Sequence, residues 1–223
     1  MNEYPEKFFH FVPELKEYLP RVSSITKIID KGEAFYNWVK KQGEKATEIL
    51  ETAGNIGSSF HNRAEEIGKG IQINLEALQP REKAWTEKFI EWKDLNVKRF
   101  IETERLVWHN LEGYCGTLDA LVELKDGKVA VIDYKTAKYI YPEHFLQVTA
   151  YLKAYEYCYK IKVDTAFILR FEKGNKTPLM QVKEIEDIEG NFKIFLCALR
   201  IWEWKNKLYR KDKVEKEKGV TNA

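Results

Sequence analysis

Residues 116–151, GTLDALVELKDGKVAVIDYKTAKYIYPEHFLQVTAY, constrain this chain more than any other stretch, because they bring charged side chains together through a tight reversal. Two apolar runs flank Lys125-Asp126-Gly127, a group with turn chemistry, and a helical period follows. The segment reads as a strand carrying Asp119, a turn, a second strand ending in Asp133-Tyr134-Lys135, and a helix presenting Gln147 and Tyr151. Two carboxylates and an ammonium then meet at one end of a sheet. Holding like charges close together out of water is costly, and a cation or a shifted proton offsets that cost. A divalent metal is the simpler answer.

Strand periodicity puts Asp133 and Lys135 on one face and Tyr134 on the other. The turn decides where Asp119 lies. A two-residue loop, Asp126-Gly127, pairs Lys125 with Lys128 and sets Asp119 opposite Tyr134, on the wrong face. A three-residue loop with Gly127 in the left-handed conformation pairs Leu124 with Lys128 and sets Asp119 opposite Asp133. Facing residues have Cβ atoms roughly 4.5 to 5.5 Å apart, close enough for two carboxylates to share one Mg²⁺-sized ion. A slip of one residue destroys the arrangement.

Upstream, a helix is expected over about residues 44–66, and on it Ala53, Gly57, His61 and Glu65 recur every four residues along one face. Small residues first and potential ligands after would let a backbone or an ion approach closely. On the residues alone His61 is either a structural histidine or a ligand. The other expected helices span residues 23–30, capped by Ser23 or Ser24, 33–41 with Phe35, Trp38 and Val39 inward, 80–95 behind Pro80 with Trp85, Phe89 and Trp92 in the core, 142–159, and 188–209. Strands are expected at 97–109, 163–171 and 179–185, the last two joined by a turn at Lys173-Gly174-Asn175. Residues 1–22, broken by Pro5, Pro13 and Pro20, show no clear element.

Gly116 to Asp119 as G-x-x-D, Asp133 to Lys135 as D-x-K, and Gln147 to Tyr151 as Q-x-x-x-Y resemble the PD-(D/E)xK nuclease superfamily, in particular its RecB-like branch. The opening RVSSITKII is similar to an S-x-T-x-x-(I/L) start among its phage-type members. The resemblance implies an α/β fold with a restriction-endonuclease-like core, a central mixed sheet flanked by helices, behind an N-terminal helical region. It implies a metal-dependent deoxyribonuclease using Mg²⁺ or Mn²⁺, an exonuclease acting on DNA ends or single strands in recombination, repair or phage DNA processing. A structure-selective endonuclease is the alternative of the same class; a catalytically inactive DNA-end-binding module is the alternative of another. Asp119, Asp133, Lys135, Gln147 and Tyr151 would be the catalytic set. His61, Asp119, Asp133 and the backbone carbonyl of Tyr134 would be the metal ligands. Glu65 either supports those ligands or is solvated, and Glu104 is either a further acidic group of the site or an exposed strand charge. A helicase or recombinase is the expected protein partner.

With 223 residues and no Pro/Gly/Ser-rich linker, one nuclease domain over residues 1–210 is expected, helical over about 21–95 and α/β over about 97–205. Residues 211–223 read as a charged, flexible tail. The formal net charge is only +2, so any nucleic-acid surface must come from local clustering. Three scattered cysteines without a C-x-x-C pair argue for a reducing, cytoplasmic setting and against zinc, a disulfide framework or the iron–sulfur cluster of some RecB-like nucleases. No apolar run approaches a membrane span and no signal peptide is expected at the N-terminus.

Overall fold

The structure, a computed structural model, describes residues 8–172 and 180–220. Its frame is a five-stranded mixed sheet in the order β3-β4-β5-β6-β7. These strands are β3 (Val97–His109), β4 (Tyr114–Leu124), β5 (Val129–Lys135), β6 (Thr165–Phe171) and β7 (Met180–Glu184). All neighbours are antiparallel except β5 and β6, which run parallel. Parallel neighbours need a crossover, and α5 (Pro142–Tyr159) supplies it. Pro142 occupies the first turn of α5, and Lys160 closes the helix in the left-handed conformation.

Helices cover both faces, as expected of a mixed α/β sheet. On one side α3 (Lys45–Gly68) and α4 (Pro80–Asn96) pack Phe60, Ala64, Trp85 and Phe89 onto Ala120, Ile132, Tyr134 and Phe171. On the other, α5, α6 (Ile188–Val220) and the one-turn α1 (Val22–Ile25) pack Leu152, Phe195 and Val22 onto Val107, Leu121 and Val131. The central strands β4, β5 and β6 are buried on both faces, which is why β4 and β5 read as nearly continuous apolar runs.

The turn between β4 and β5 is the three-residue form. Gly127 has φ +88°, the Gly127 N–H donates to the Leu124 carbonyl (3.0 Å), and Glu123 pairs with Val129 and Ala120 with Ile132. That register places Asp119 across from Asp133.

Several expectations shift in detail. Residues 9–20 form a hairpin, β1 (Phe9–Val12) with β2 (Glu17–Pro20), that the prolines concealed. It lies on β4, where Val12 and Leu19 bury against Cys115. The helix expected over 23–30 is only α1 plus a 3-10 turn, Thr26–Ile28, and its N-cap is Arg21 rather than a serine. Arg21 bridges to Cys115, so attachment to the sheet sets where the helix starts. In α2 (Glu33–Gln42) Phe35, Trp38 and Val39 do face inward but are only half-buried. The α6 helix continues to Val220, past residue 209, through a Lys- and Glu-rich stretch of high helix propensity. The expected turn at 173–175 lies outside the described residues.

Gly116 explains why the first glycine and the last tyrosine of the expected pattern go together. A Cβ built on Gly116 would lie 2.4 Å from the Tyr151 ring. Gly116→Ala should therefore destabilise the protein by roughly 1 to 3 kcal/mol through overpacking. In a double-mutant cycle with Tyr151→Ala the two losses should be clearly less than additive. Gly54→Ala in α3, where a Cβ meets nothing within 4 Å, should be neutral or stabilising. Urea denaturation of the variants checks all three.

Candidate metal centre

Asp119 is the point where three elements meet. Its Oδ2 accepts the backbone N–H of Tyr134 on β5 at 2.7 Å. Its Oδ1 lies 3.3 Å from Nδ1 of His61 on α3. The helix can come this close because Gly57 has no side chain: a Cβ there would stand 2.8 Å from the Thr136 hydroxyl, just beyond β5. The edge of the His61 ring also packs on Tyr134, 5.7 Å between centroids, so the imidazole is held from two sides.

Glu104 completes the group. On β3 it lies between the pairs Thr103 with Ala120 and Arg105 with Leu118, hence across from Asp119. Its backbone is left-handed, φ +47°, a conformation that costs a non-glycine residue on the order of 1–3 kcal/mol and clusters at functional sites. One ligand atom each from His61, Glu104 and Asp119 lies within 4.8 Å of the other two. Of the two readings of Glu104, membership of the acidic site is the one the geometry favours.

Asp133 departs from the simplest expectation. The register puts it across from Asp119, yet it is not part of that ligand group. The reason is a slip in alternation along β4: Leu118 and Leu121, three residues apart, both pack toward α5 and α6, whereas Ala120 and Val122 pack toward α3 and α4. An irregularity of this kind re-aims a side chain. Asp119 turns to His61, while Asp133 is fully buried and pairs with Lys135 Nζ at 2.6 Å. Neither Asp133 oxygen accepts a well-formed hydrogen bond.

Gln147 donates to the Tyr151 hydroxyl at 2.9 Å, with Tyr151 buried. Both stand on α5, and the Asp133 charge, after burial, helps push the Tyr151 pKa far up. Glu65 lines the same cleft as His61 but is paired to Lys69, and it does not join the ligand group. The cleft encloses about 850 Å³, bordered by His61, Glu104, Asp119, Lys135, Lys31 and His144. The last two were absent from the sequence reading. A signal for His144 existed: it is the third residue of a helix begun by Pro142, where an acceptor side chain commonly bonds back to the cap.

The charges of the site do not balance on their own. Burial pushes Asp133 up to about 6 against the opposing pull of Lys135. Burial and then the Asp119 charge push Glu104 up to about 7 although its residue reaches solvent. Burial works against charging of His61 too, but the Asp119 charge and hydrogen bond outweigh it and raise its pKa. Asp119 itself is held below the usual carboxylate range, since His61, Lys135 and the Tyr134 N–H overcome its burial. Three carboxyl groups thus crowd one imidazole and one ammonium.

No protein-family model matches the sequence, and no curated protein matches it significantly. Among solved structures the chain is similar to the crystal structure of SSO0001, at 16% identity and a TM-score of 0.36, over 74% of this chain and 65% of that one. Among the described residues, no helix is long and apolar enough to cross a membrane.

Two tests follow from the electrostatics. For Asp133 the folded pKa lies above its ordinary 3.8, so the folded state holds the proton more tightly and stability falls as pH rises from about 4 through about 6. Metal-free Asp133→Asn should therefore be more stable than wild type at neutral pH, by roughly 2 kcal/mol, and gain nothing near pH 4. Urea titrations at both pH values check this. Metal binding needs His61 neutral and Glu104 ionised, and both pKa values are raised. Mn²⁺ affinity should consequently fall as pH drops through about 7, where Glu104 takes up its proton, by up to about tenfold per pH unit for each proton displaced. In His61→Ala the affinity should be lower and one proton should disappear from the release, as calorimetry in buffers of different ionisation enthalpy would register.

Proposed function

We propose that this protein is a metal-dependent deoxyribonuclease of the RecB-like PD-(D/E)xK type, hydrolysing phosphodiester bonds at DNA ends. The observation that carries the reading is the convergence of His61, Glu104 and Asp119 within 4.8 Å, next to a buried Asp133–Lys135 pair at the end of the adjacent strand. The order of strands β3, β4 and β5, helix α5 and strand β6 is the one the resemblance implies and supports the reading.

The residues present fit a divalent cation. Two carboxylates and an imidazole lie at mutual ligand distances, and the fully buried Asp133 carboxylate beside them has the Lys135 ammonium on one oxygen. His61, Glu104 and Asp119 would hold the ion, with Asp133 and the Tyr134 carbonyl beside them. Oxygen ligands favour Mg²⁺, and the imidazole makes Mn²⁺ at least as suitable. Bound there, such an ion polarises a phosphoryl oxygen and lowers the pKa of a coordinated water.

The rest is the work of the chain's own side chains. The Tyr134 N–H fixes the Asp119 carboxylate, and the Tyr134 ring fixes the His61 plane. Lys135, held by Asp133 at the cleft wall, presents a positive charge where negative charge develops on the transferring phosphate. A group that acts mainly on developing charge contributes to turnover more than to binding.

Asp119→Ala should abolish cleavage while the protein stays folded. Lys135→Ala should keep most DNA binding and lose about 10²-fold or more in single-turnover rate. A time course on end-labelled linear and on circular single-stranded DNA with Mg²⁺ or Mn²⁺ is the direct assay. Release of mononucleotides from the linear substrate, with the circle left intact, is expected. Cutting of the circle makes the protein an endonuclease, and near-wild-type turnover by folded Asp119→Ala removes the site from the chemistry.

A further inference from the structure

At the mouth of α5 sits a histidine that the metal centre does not use. His144 is nine-tenths buried, with 9% of its surface exposed, yet it borders the cleft that holds Glu104 and Asp119. Its Nδ1 accepts the backbone N–H of Tyr141 at 3.2 Å. A neutral imidazole has one donor and one acceptor nitrogen, so with Nδ1 accepting, the proton resides on Nε2. Among the described residues nothing accepts that Nε2–H. Nε2 is not fully buried, so this donor is open to the cleft, where an acceptor atom of a ligand can take it.

The surroundings of the ring specify the ligand's charge. Burial, and then the cations Lys135 and Lys31, push the His144 pKa down to about 3, so the ring stays neutral at physiological pH. Lys31 also borders the cleft, its ammonium 4.7 Å from the Phe35 ring centre. The N-terminal end of α5, an 18-residue helix, adds the positive end of its dipole. A donor N–H, two ammonium groups and a helix N-terminus facing one volume match an oxyanion with several acceptor oxygens.

We infer that His144 Nε2–H, together with Lys31, forms an anion subsite of the cleft, beside Lys135, that takes a phosphate group of a nucleic-acid strand. That the phosphate belongs to a nucleic acid rests on the nuclease reading, whereas the subsite itself rests on the unpartnered donor and the two cations. His144 is a positioning residue for the strand.

The experiment uses the full chain labelled with ¹⁵N-histidine, in excess EDTA so that no metal recruits the anion. The probes are inorganic phosphate and a short single-stranded oligonucleotide, once with a 5′-phosphate and once with a 5′-hydroxyl. The His144 resonances, assigned by their loss in His144→Gln, should show protonated Nε2 and unprotonated Nδ1. The Nε2–H signal should move on titration with inorganic phosphate. A response to both oligonucleotides identifies an internal phosphodiester as the natural ligand, and a response to the phosphorylated one alone identifies a terminal phosphate. His144→Glu keeps an acceptor for the Tyr141 N–H in the manner of a capping box, but replaces the donor with an anion, and should weaken phosphate binding roughly tenfold or more. Lys31→Ala, at an exposed position, should weaken it severalfold. An unmoved Nε2–H signal in saturating phosphate, or equal affinity in wild type and folded His144→Glu, overturns the subsite. Cleavage of DNA without these shifts sinks the subsite alone; phosphate binding without any metal-dependent cleavage sinks the nuclease reading alone.

Discussion

The Asp119 carboxylate joins β4, β5 and α3 through two contacts, the Tyr134 N–H at 2.7 Å and His61 at 3.3 Å. Both are charge-assisted, and such bonds are about twice as strong as neutral ones. The backbone bond takes the place of a ladder partner next to the terminal β4–β5 pair, Ala120 with Ile132, so the sheet opens there without leaving the Tyr134 N–H unsatisfied. The contact to His61 holds α3 across that opening. Without it, the helix would still pack through Phe60 and Ala64, but its ligand face would have nothing to approach.

Around that junction the fold accumulates unfavourable terms. Glu104 holds a left-handed backbone, and Asp133 is a fully buried carboxyl group whose burial opposes its charge. Each costs on the order of a kcal/mol or more, and neither is needed to build the sheet. The two apolar layers on either side supply the stability that tolerates them. The layers also keep the strain local: Leu118 and Leu121 lock one face of β4 while Ala120 and Val122 lock the other, so the slip in alternation stays between them. In the proposed reading a bound cation offsets the carboxylates of this site and an oxyanion meets the His144 donor.

Most of the framework was legible in the sequence because it depends on local rules. The 3.6-residue period located α3, α4 and α5, Pro80 and Pro142 marked two helix starts, and Gly127 specified the three-residue loop that pairs Leu124 with Lys128. The spacing by four of Gly57, His61 and Glu65 placed one helix face against the site. The hairpin of residues 9–20 was not legible, because two four-residue strands are marginal alone and are held by burial of Val12 and Leu19 on Cys115. Glu104 was half legible: a four-residue loop from Asn110 to Gly113 pairs His109 with Tyr114 and by counting sets Glu104 across from Asp119.

By itself the sequence determined which residues face each other across strands, since register follows from loop length and side-chain period. Only the tertiary structure decided which of those facing residues act together. Asp119 and Asp133 are opposite in register, yet competition between the two packed faces of β4 turns Asp119 toward His61 and Glu104 and leaves Asp133 to Lys135. That competition is between side chains far apart in sequence, Phe60 and Phe89 on one face and Leu152 and Phe195 on the other. No local rule carries its outcome. The same holds for His144, whose bond to Tyr141 is local but whose free nitrogen acquires meaning only from the Lys31 and Lys135 that the fold brings to it.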